Sequence, residues 1–198
     1  MKMGKELTKR VFIFHGWDGN PKEPMLNWLK KELEKRNFKV VNPKMPHPAV
    51  PTIKDWVNHL KKIIKNPDKN TYLIGHSIGC QTVLRYLQTL NKKVGSCFLI
   101  APFIDLNRER LEEEGTLEIA KPWIETPIKW KKILNNLNKK AICIFSDNDP
   151  YVSLSNAKNF RNKLKAKIII EHNKGHFDPS SNIRKLPSAL KSLLQISK

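Results

Sequence analysis

Residues 75 to 79 have the types and the spacing of a turn that presents a nucleophilic serine. The segment reads Gly75-His76-Ser77-Ile78-Gly79, with one glycine two residues before the serine and another two residues after it. Between a strand and a helix, such a turn strains the serine backbone, and its glycines avoid collisions with the neighbouring elements. The Ser77 hydroxyl is then exposed as a candidate nucleophile. The Ile78 N–H, at the start of the helix, can bind an oxyanion.

A serine in this position can also be only a helix N-cap, and short patterns with two glycines occur by chance. The flanking segments favour the nucleophile. Tyr72-Leu73-Ile74 is an apolar run typical of a strand, and Val83, Leu84 and Leu87 recur at helical spacing after the turn. We therefore expect a strand, the serine and a helix in that order.

The serine needs a base, because a hydroxyl is a weak nucleophile near neutral pH, and the base needs a group that holds its tautomer. His176 directly follows a glycine in a loop near the end of the chain. His172 is the alternative, but it ends a strand-like run, where its side chain is expected to pack or to face solvent. The sequence favours His176 as the base.

Three aspartates are candidates for the acid that supports the base. Asp147 and Asp149 follow a predicted strand, and Asp178 lies just beyond His176. Asp149 precedes a rigid turn that begins at Pro150 and can reach across to the next loop, whereas Asp147 is typical of an aspartate that bonds N–H groups within its own turn. We predict Asp149 as the acid, with Asp147 and Asp178 as alternatives.

Ser77, Asp149 and His176 follow one another in the chain order that is described for α/β-hydrolases. A second oxyanion donor is expected from the loop after the first strand. His15-Gly16 in that loop resembles the His-Gly motif of the superfamily, which makes the Trp17 N–H the candidate. We expect His15 to brace the loop by hydrogen bonds, without a role in proton transfer.

Apolar runs and helical patterns alternate six times along the chain. The predicted strands are Val11–Phe14, Phe38–Val41, Tyr72–Ile74, Ser96–Ala101, Ala141–Phe145 and Lys167–Ile170. This alternation predicts an α/β fold with a mainly parallel, doubly wound sheet, flanked by helices that include Met25–Asn37 and segments near 128–137 and 184–194. In such sheets, sites form from the loops at the carboxyl ends of the strands.

Between residues 105 and 127 the pattern weakens, and we predict an insertion of short helices over the strand ends. Several aromatic side chains are expected in or near the active-site loops, namely Trp17, Phe103, Trp123, Tyr151 and Phe177. They indicate a modest apolar pocket, although each is equally typical of a core or loop anchor. So short a chain cannot build a large cap, which favours small substrates over long lipids.

The composition predicts one α/β domain over residues 1–198, because 198 residues with 39% hydrophobic content can bury one sizeable core. No apolar run approaches the roughly 20 residues of a membrane span, and residues 1–10 lack the apolar stretch of a signal peptide. Cys80, Cys97 and Cys143 are expected to be reduced core thiols. These features predict a cytoplasmic protein with no membrane association, no metal and no cofactor.

The charge is strongly basic, with 37 Lys and Arg against 18 Asp and Glu, a formal +19. Binding to nucleic acid is one interpretation. However, the excess is mostly lysine, as in Lys30-Lys31 and Lys61-Lys62, without a compact arginine cluster or an interleaved aromatic platform. A solvated basic surface is therefore favoured over a specific nucleic-acid partner.

The chain resembles the small serine hydrolases of the retinoblastoma-binding protein 9 family, a compact branch of the α/β-hydrolases, over nearly its whole length. The resemblance rests on Phe14-His15-Gly16, Asn42 to Pro46, Asp55-Trp56, Tyr72 to Cys80, Ser146 to Val152 and Gly175-His176-Phe177. In the family's pattern the catalytic acid matches Asp149 and the base matches His176. The resemblance also implies the sheet order 2-1-3-4-5-6 and a lid that is absent or reduced. Many relatives carry proline where this chain has Ser153, which changes the expected stiffness of that loop.

These features predict a serine hydrolase that cleaves small carboxylic esters, thioesters or amides through an acyl-enzyme intermediate on Ser77. A peptidase or a transferase would use the same residues. The alternative from another class is a protein-interaction module on a hydrolase scaffold with little or no turnover, since a fold does not establish a function and the family is named after a binding partner. The expected partner is a small ester or amide substrate, with a protein partner as an open alternative.

Overall fold

The computed structural model describes residues 8–198 and has a parallel sheet of six strands at its centre. The strands are β1 (Arg10–Phe14), β2 (Lys39–Val41), β3 (Thr71–His76), β4 (Ser96–Ile100), β5 (Ile142–Ser146) and β6 (Lys167–Glu171). Their order in the sheet is β2-β1-β3-β4-β5-β6. This confirms the parallel sheet and its predicted order. Most of the basic N-terminal segment, residues 1–7, lies outside the described residues.

Helices connect the strands. They are α1 (Pro24–Glu34), α2 (Ile53–Ile63), α3 (Ile78–Leu87), α4 (Arg108–Glu113), α5 (Leu117–Glu125), α6 (Trp130–Asn135), α7 (Ser155–Leu164) and α8 (Pro187–Ile196). Several ends differ from the prediction by two or three residues. For example, α1 ends before Asn37 because the φ of that residue, 62°, is left-handed. A proline opens α8, as is common where the first N–H has no partner within the helix.

The core lies on both faces of the central strands. Every residue of β3 and β4 is buried, whereas the two edge strands, β2 and β6, contain no fully buried residue. A strand that is covered on both faces needs a continuous apolar run, which is the pattern that the sequence has in these segments. The buried strands therefore fix the positions of the loops at their carboxyl ends.

The segment predicted as an insertion contains the short helices α4 and α5. Arg85 on α3 fastens this segment, because its guanidinium donates hydrogen bonds to the carbonyls of Trp123 and Thr126, each at 2.9 Å. Trp123 packs edge-on against Trp56 of α2, with the ring centroids 6.0 Å apart. None of the helices between residues 8 and 198 is long and apolar enough to cross a membrane.

Two glycines allow α3 to start very close to the ends of β1 and β3. A Cβ on Gly79 would lie 2.4 Å from the carbonyl oxygen of Phe14 and 2.7 Å from that of His15. A Cβ on Gly75 would lie 2.6 Å from the Gly79 carbonyl. All these neighbours are backbone atoms, which cannot move aside as a side chain can. The two glycines thus bring Ser77, between them, against the loop that follows β1.

We predict that Gly79→Ala destabilises the protein by about 3 kcal/mol or more, because the methyl group overpacks a backbone contact. Gly115→Ala is the matched control. Unlike Gly79, Gly115 has a left-handed φ of 66°, but nothing lies within 4 Å of the added Cβ, so we expect a cost of only about 1 kcal/mol. Urea unfolding measures both free energies. Equal losses for the two variants would contradict the close approach.

Candidate active site

Ser77 occupies the turn between β3 and α3 in a strained conformation. Its φ is 51° and its ψ is −119°, a combination that costs a residue with a Cβ on the order of 1–3 kcal/mol. Its N–H donates a hydrogen bond to the Ile100 carbonyl at 2.9 Å, which ties the turn to the neighbouring strand β4. The strain is retained because both neighbouring elements hold the turn, and the hydroxyl faces a cavity.

The structure brings Ser77, His176 and Asp149 together. The Ser77 hydroxyl is 2.9 Å from His176 Nε2, and His176 Nδ1 is 2.8 Å from Asp149 Oδ2. An ionised carboxylate can only accept, so the His176 proton lies on Nδ1, and Nε2 is free to accept from the serine. The His176 and Asp149 side chains are 11% and 1% exposed. Such an arrangement can remove a proton from a serine hydroxyl.

Asp149 is fixed by the turn that follows it. Its Oδ1 accepts hydrogen bonds from the N–H groups of Tyr151 and Val152, at 2.9 and 3.0 Å. The other oxygen, Oδ2, is thereby directed at His176. The turn that was predicted after Asp149 therefore orients the carboxylate towards the loop that contains His176.

The alternative candidates for the base and the acid form other contacts. His172 pairs with Asp147 at 2.6 Å, but the His172 side chain is 77% exposed. Asp147 also accepts from the Asn173 N–H, which agrees with the expected role within the turn. Asp178 accepts from the hydroxyls of Ser180 and Ser181, at 2.8 and 2.7 Å. None of these three residues is within hydrogen-bonding distance of Ser77 in the described structure.

His76 is a site residue that the sequence reasoning missed. Its side chain is buried, and its Nε2–H donates to the backbone carbonyl of His176 at 2.7 Å. Burial, together with the nearby His176 charge, lowers the pKa of His76 to about 4. The bond connects β3 to the loop that carries His176. The available signal was its place directly before Ser77 at the end of a fully buried strand.

His15 braces the loop after β1, as expected. Its Nδ1–H donates to the Gly16 carbonyl at 2.8 Å, and its Nε2 accepts from the Met45 N–H at 3.0 Å. Burial lowers the pKa of His15, so the ring stays neutral in this double role. The hydrogen bonds hold the backbone of Gly16 next to the serine.

The two predicted oxyanion donors both border the cavity beside Ser77. Ile78 is the first residue of α3, so its N–H has no carbonyl partner within the helix. Trp17 follows Gly16, where an added Cβ would be only 3.3 Å from the Ser77 Cβ. Within residues 8–198 the backbone N–H of Trp17 has no hydrogen-bond acceptor, whereas its indole N–H donates to the Ala49 carbonyl. Both N–H groups are therefore available to an oxygen bound at Ser77.

The cavity in front of Ser77 has a volume of about 550 Å³. Of the five aromatic residues predicted to form a pocket, Trp17, Phe103 and Tyr151 line it. Trp123 and Phe177 do not. The Trp123 indole is buried and donates to the Pro51 carbonyl, and Phe177 is turned into the core by its left-handed φ of 59°.

The short insertion forms one wall of the cavity. It contributes Leu111, Glu114, Thr116 and Ile119. The Tyr151 hydroxyl donates to Glu114 at 2.9 Å, while its ring packs edge-on against His176 with the centroids 5.0 Å apart. The insertion, which takes the place of a lid, is thereby connected to the loops that carry Asp149 and His176.

A serine turn after the third strand, with an aspartate and a histidine from the loops after β5 and β6, places this structure among the α/β-hydrolases. Solved structures agree. The crystal structure of the Bacillus subtilis ydeN gene product has a TM-score of 0.86 with 27% sequence identity, covering 96% of this chain and 98% of that one. A carboxylesterase structure from the thaumarchaeon Nitrososphaera gargenis shares the fold, with a TM-score of 0.75, 13% identity, and coverage of 96% and 91%.

The family model for serine hydrolases matches residues 11–195. The chain therefore belongs to the serine hydrolase family. In sequence it is 28% identical to YdeN of Bacillus subtilis over 183 residues, which cover 91% of this chain and 92% of YdeN. It is 27% identical to serine hydrolase RBBP9 of Rattus norvegicus over 182 residues, which cover 91% of this chain and 87% of RBBP9. The predicted resemblance is confirmed.

The buried state of His76 predicts a pH-dependent stability. The unfolded chain protonates this imidazole near pH 6.5, whereas the folded protein does so only near a pKa of about 4. The unfolded state thus binds more protons between these values, so stability falls as the pH drops from about 6.5 to about 4. The expected loss is about 3 kcal/mol, from roughly 1.4 kcal/mol per pKa unit.

The measurement is the free energy of unfolding in urea across this pH range, for the native chain and for His76→Gln. Glutamine keeps an N–H donor but does not titrate. Between pH 6.5 and pH 4, the variant should therefore lose about 3 kcal/mol less stability than the native chain. Parallel pH profiles for the two proteins would show that His76 is not held neutral by burial.

Proposed function

We propose that the protein is a serine hydrolase that cleaves small carboxylic esters, thioesters or amides, with Ser77 as nucleophile, His176 as base and Asp149 as supporting acid. The observation that carries this proposal is the continuous hydrogen-bond chain from Asp149 through His176 to the Ser77 hydroxyl, at 2.8 and 2.9 Å. Its outer end opens into the cavity, where a carbonyl group can approach.

The reaction runs in two steps. Ser77 attacks the substrate carbonyl while His176 Nε2 takes the hydroxyl proton, and Asp149 stabilises the imidazolium that forms. The N–H groups of Trp17 and Ile78 hold the oxyanion of the tetrahedral intermediate. His176 then protonates the leaving group, and water repeats the sequence to release the acid. The base is worth about 10²–10⁴-fold in rate and one oxyanion donor about 10²–10³-fold.

The size of the substrate follows from the cavity. A volume of about 550 Å³ fits an acyl or aryl group of modest size, and we assign Trp17, Phe103 and Tyr151 as its apolar walls. The carboxylesterase of Nitrososphaera gargenis supports an ester substrate by analogy of fold. The helices α4 and α5 are too short to build a large cap over the cavity, which favours small substrates over long lipids.

An interaction module on the same scaffold fits the site less well. It would need neither a serine held in a strained conformation nor an almost fully buried His–Asp pair. Both features cost stability, and a catalytic role explains why the protein keeps them. Cys80, Cys97 and Cys143 are buried and unpaired. They support the proposal that the hydrolase works in the cytoplasm, where thiols stay reduced.

We expect Ser77→Ala to abolish labelling by a fluorophosphonate probe and hydrolysis of p-nitrophenyl acetate. Asp149→Asn should lower kcat by about 10²–10⁴-fold, because the imidazole loses its carboxylate partner. Asp147→Asn is the matched control. It makes the same change in the exposed pair with His172 and should leave kcat within about twofold.

Initial rates of ester hydrolysis separate the variants, and circular dichroism checks their folding. Labelling that persists in Ser77→Ala would mean that another residue is the nucleophile. A larger loss in Asp147→Asn than in Asp149→Asn would reverse the assignment of the acid.

A further inference from the structure

The charge of the active-site cavity is opposite to that of the whole chain. The chain carries 37 Lys and Arg against 18 Asp and Glu. The described residues that line the cavity nevertheless include no lysine and no arginine, but four acids, namely Asp18, Glu23, Glu114 and Asp178. Because basic residues are about twice as common as acidic ones in the chain, a cavity wall of random composition would be expected to contain more basic than acidic residues. This wall has the charge that attracts cations.

The negative charges of two of these acids are already compensated or screened. The Glu114 carboxylate is paired with Arg110 at 2.8 Å and accepts from the Tyr151 hydroxyl at 2.9 Å. Asp18 is exposed to solvent, which screens its charge. The charges that remain uncompensated in the cavity are those of Glu23 and Asp178.

Glu23 is buried and pairs with no lysine or arginine of residues 8–198, although the His176 charge acts on it. It is only 7% exposed, and its Oε1 accepts from the Asn20 N–H at 2.9 Å. Neither Glu23 nor Asp178 forms an ion pair with a lysine or an arginine of residues 8–198. Burial raises the pKa of Glu23, and the charge of Asp178 raises it further. A buried carboxylate beside another carboxylate is costly unless a cation joins the pair.

Asp178 remains charged. Burial alone would raise the pKa of this carboxyl, but hydrogen bonds from Ser181 and Ser180 outweigh it, and the pKa is lowered. The negative charge of Asp178 acts on Glu23, and also on His76 and His176. It therefore provides a negative charge that acts on both Glu23 and the reacting groups.

His76 provides an independent sign of a missing ligand. Its ring is 2% exposed and lines the cavity. Its Nε2 carries the proton that bonds the His176 carbonyl, so Nδ1 can only accept a hydrogen bond. Among the described residues Nδ1 has no partner, and it faces the backbone of Gly16, where an added Cβ would be 3.1 Å away. This nitrogen is therefore a buried acceptor at the cavity wall that needs an N–H or O–H donor, which a protonated amine has and a quaternary ammonium lacks.

We propose that Glu23 and Asp178 form a subsite for a positively charged group of the substrate, so that the preferred esters, thioesters or amides carry a protonated amine or a quaternary ammonium. The inference rests on the proposed hydrolase function and adds the charge of the substrate to it. Residues 8–198 contain no group of three or more His, Cys, Asp or Glu arranged to hold a metal ion.

Gly19 keeps the subsite open. An added Cβ at this position would lie 2.3 Å from Glu23 Oε1, which would displace the carboxylate. The turn from Gly16 to Gly19 follows β1 and also carries Trp17, whose N–H is the proposed oxyanion donor. Glu23 and Trp17 both lie in the segment between β1 and α1, so a cation bound at Glu23 is held by the segment that also carries the proposed oxyanion donor.

The test compares two thioesters of the same shape. Acetylthiocholine carries a quaternary ammonium, and 3,3-dimethylbutyl thioacetate has a neutral carbon in its place. We expect kcat/KM for the cationic thioester to exceed that for the neutral one by at least about tenfold in the native chain. The ratio should fall about tenfold in Glu23→Gln and in Asp178→Asn, since both amides keep an oxygen acceptor for the local hydrogen bonds but lose the charge.

Glu112→Gln is the control, because it makes the same charge change at an exposed position outside the cavity and should leave the ratio unchanged. A second readout does not need turnover of either thioester. Choline should slow fluorophosphonate labelling of Ser77 at a concentration at least about tenfold lower than its neutral isostere, 3,3-dimethylbutan-1-ol, and Glu23→Gln should remove the difference.

The outcomes separate the two proposals. Labelling of Ser77 without preference for the cation in either assay would overturn the subsite and leave the hydrolase standing. A preference that persists in both Glu23→Gln and Asp178→Asn would also overturn the subsite. Absence of both labelling and hydrolysis in the native chain would overturn the hydrolase function and the subsite with it.

Discussion

The close backbone approach between β1, β3 and α3 is the constraint on which the rest of the site depends. Gly79 lies against the carbonyls of Phe14 and His15, with room for no Cβ. This contact presses the start of α3 onto the end of β1 and holds Ser77 at a φ of 51°. It also brings Trp17 beside the serine. The proposed nucleophile and the proposed oxyanion donors are thus positioned by the same packing contact.

Much of the fold could be predicted because parallel strands leave a strong local signal. Continuous apolar runs marked the buried strands, and the loops after them are brought to one edge of the sheet. Ser77, Asp149 and His176 could be proposed from residue type together with position in these loops, since His172, Asp147 and Asp178 offered the same residue types. The order of the strands came from the family resemblance, since alternation along the chain does not determine which strands are neighbours.

The residues that escaped prediction depend on packing between distant segments. Phe177 follows His176 directly, but its left-handed φ turns the ring into the core. Trp123 is buried because α5 is fastened to α3 through Arg85. In the sequence, Glu23 is an acidic residue directly before a helix, which is usually exposed, and its burial depends on the lack of a side chain at Gly19. None of these relations has a periodicity or a motif that a single sequence displays.

The net charge of the molecule does not describe the charge of its active-site cavity. Lysines cover the outer surface and give the formal +19, whereas the wall around Ser77 is acidic. Long-range repulsion would disfavour a cationic substrate in solution, but at about 0.15 M salt it is screened beyond about 8 Å. Contacts inside the cavity then decide the preference. A basic exterior therefore does not imply an acidic substrate.

The central claim is that Ser77 attacks a carbonyl whose oxygen is held by the N–H groups of Trp17 and Ile78. A crystal structure of the protein after reaction with an organophosphonate tests it most directly, because the adduct has the geometry of the tetrahedral intermediate. The account predicts phosphorus bonded to Ser77 Oγ, with the phosphoryl oxygen about 2.7–3.1 Å from both nitrogens. Phosphorus on another residue, or a phosphoryl oxygen out of reach of both N–H groups, would contradict it.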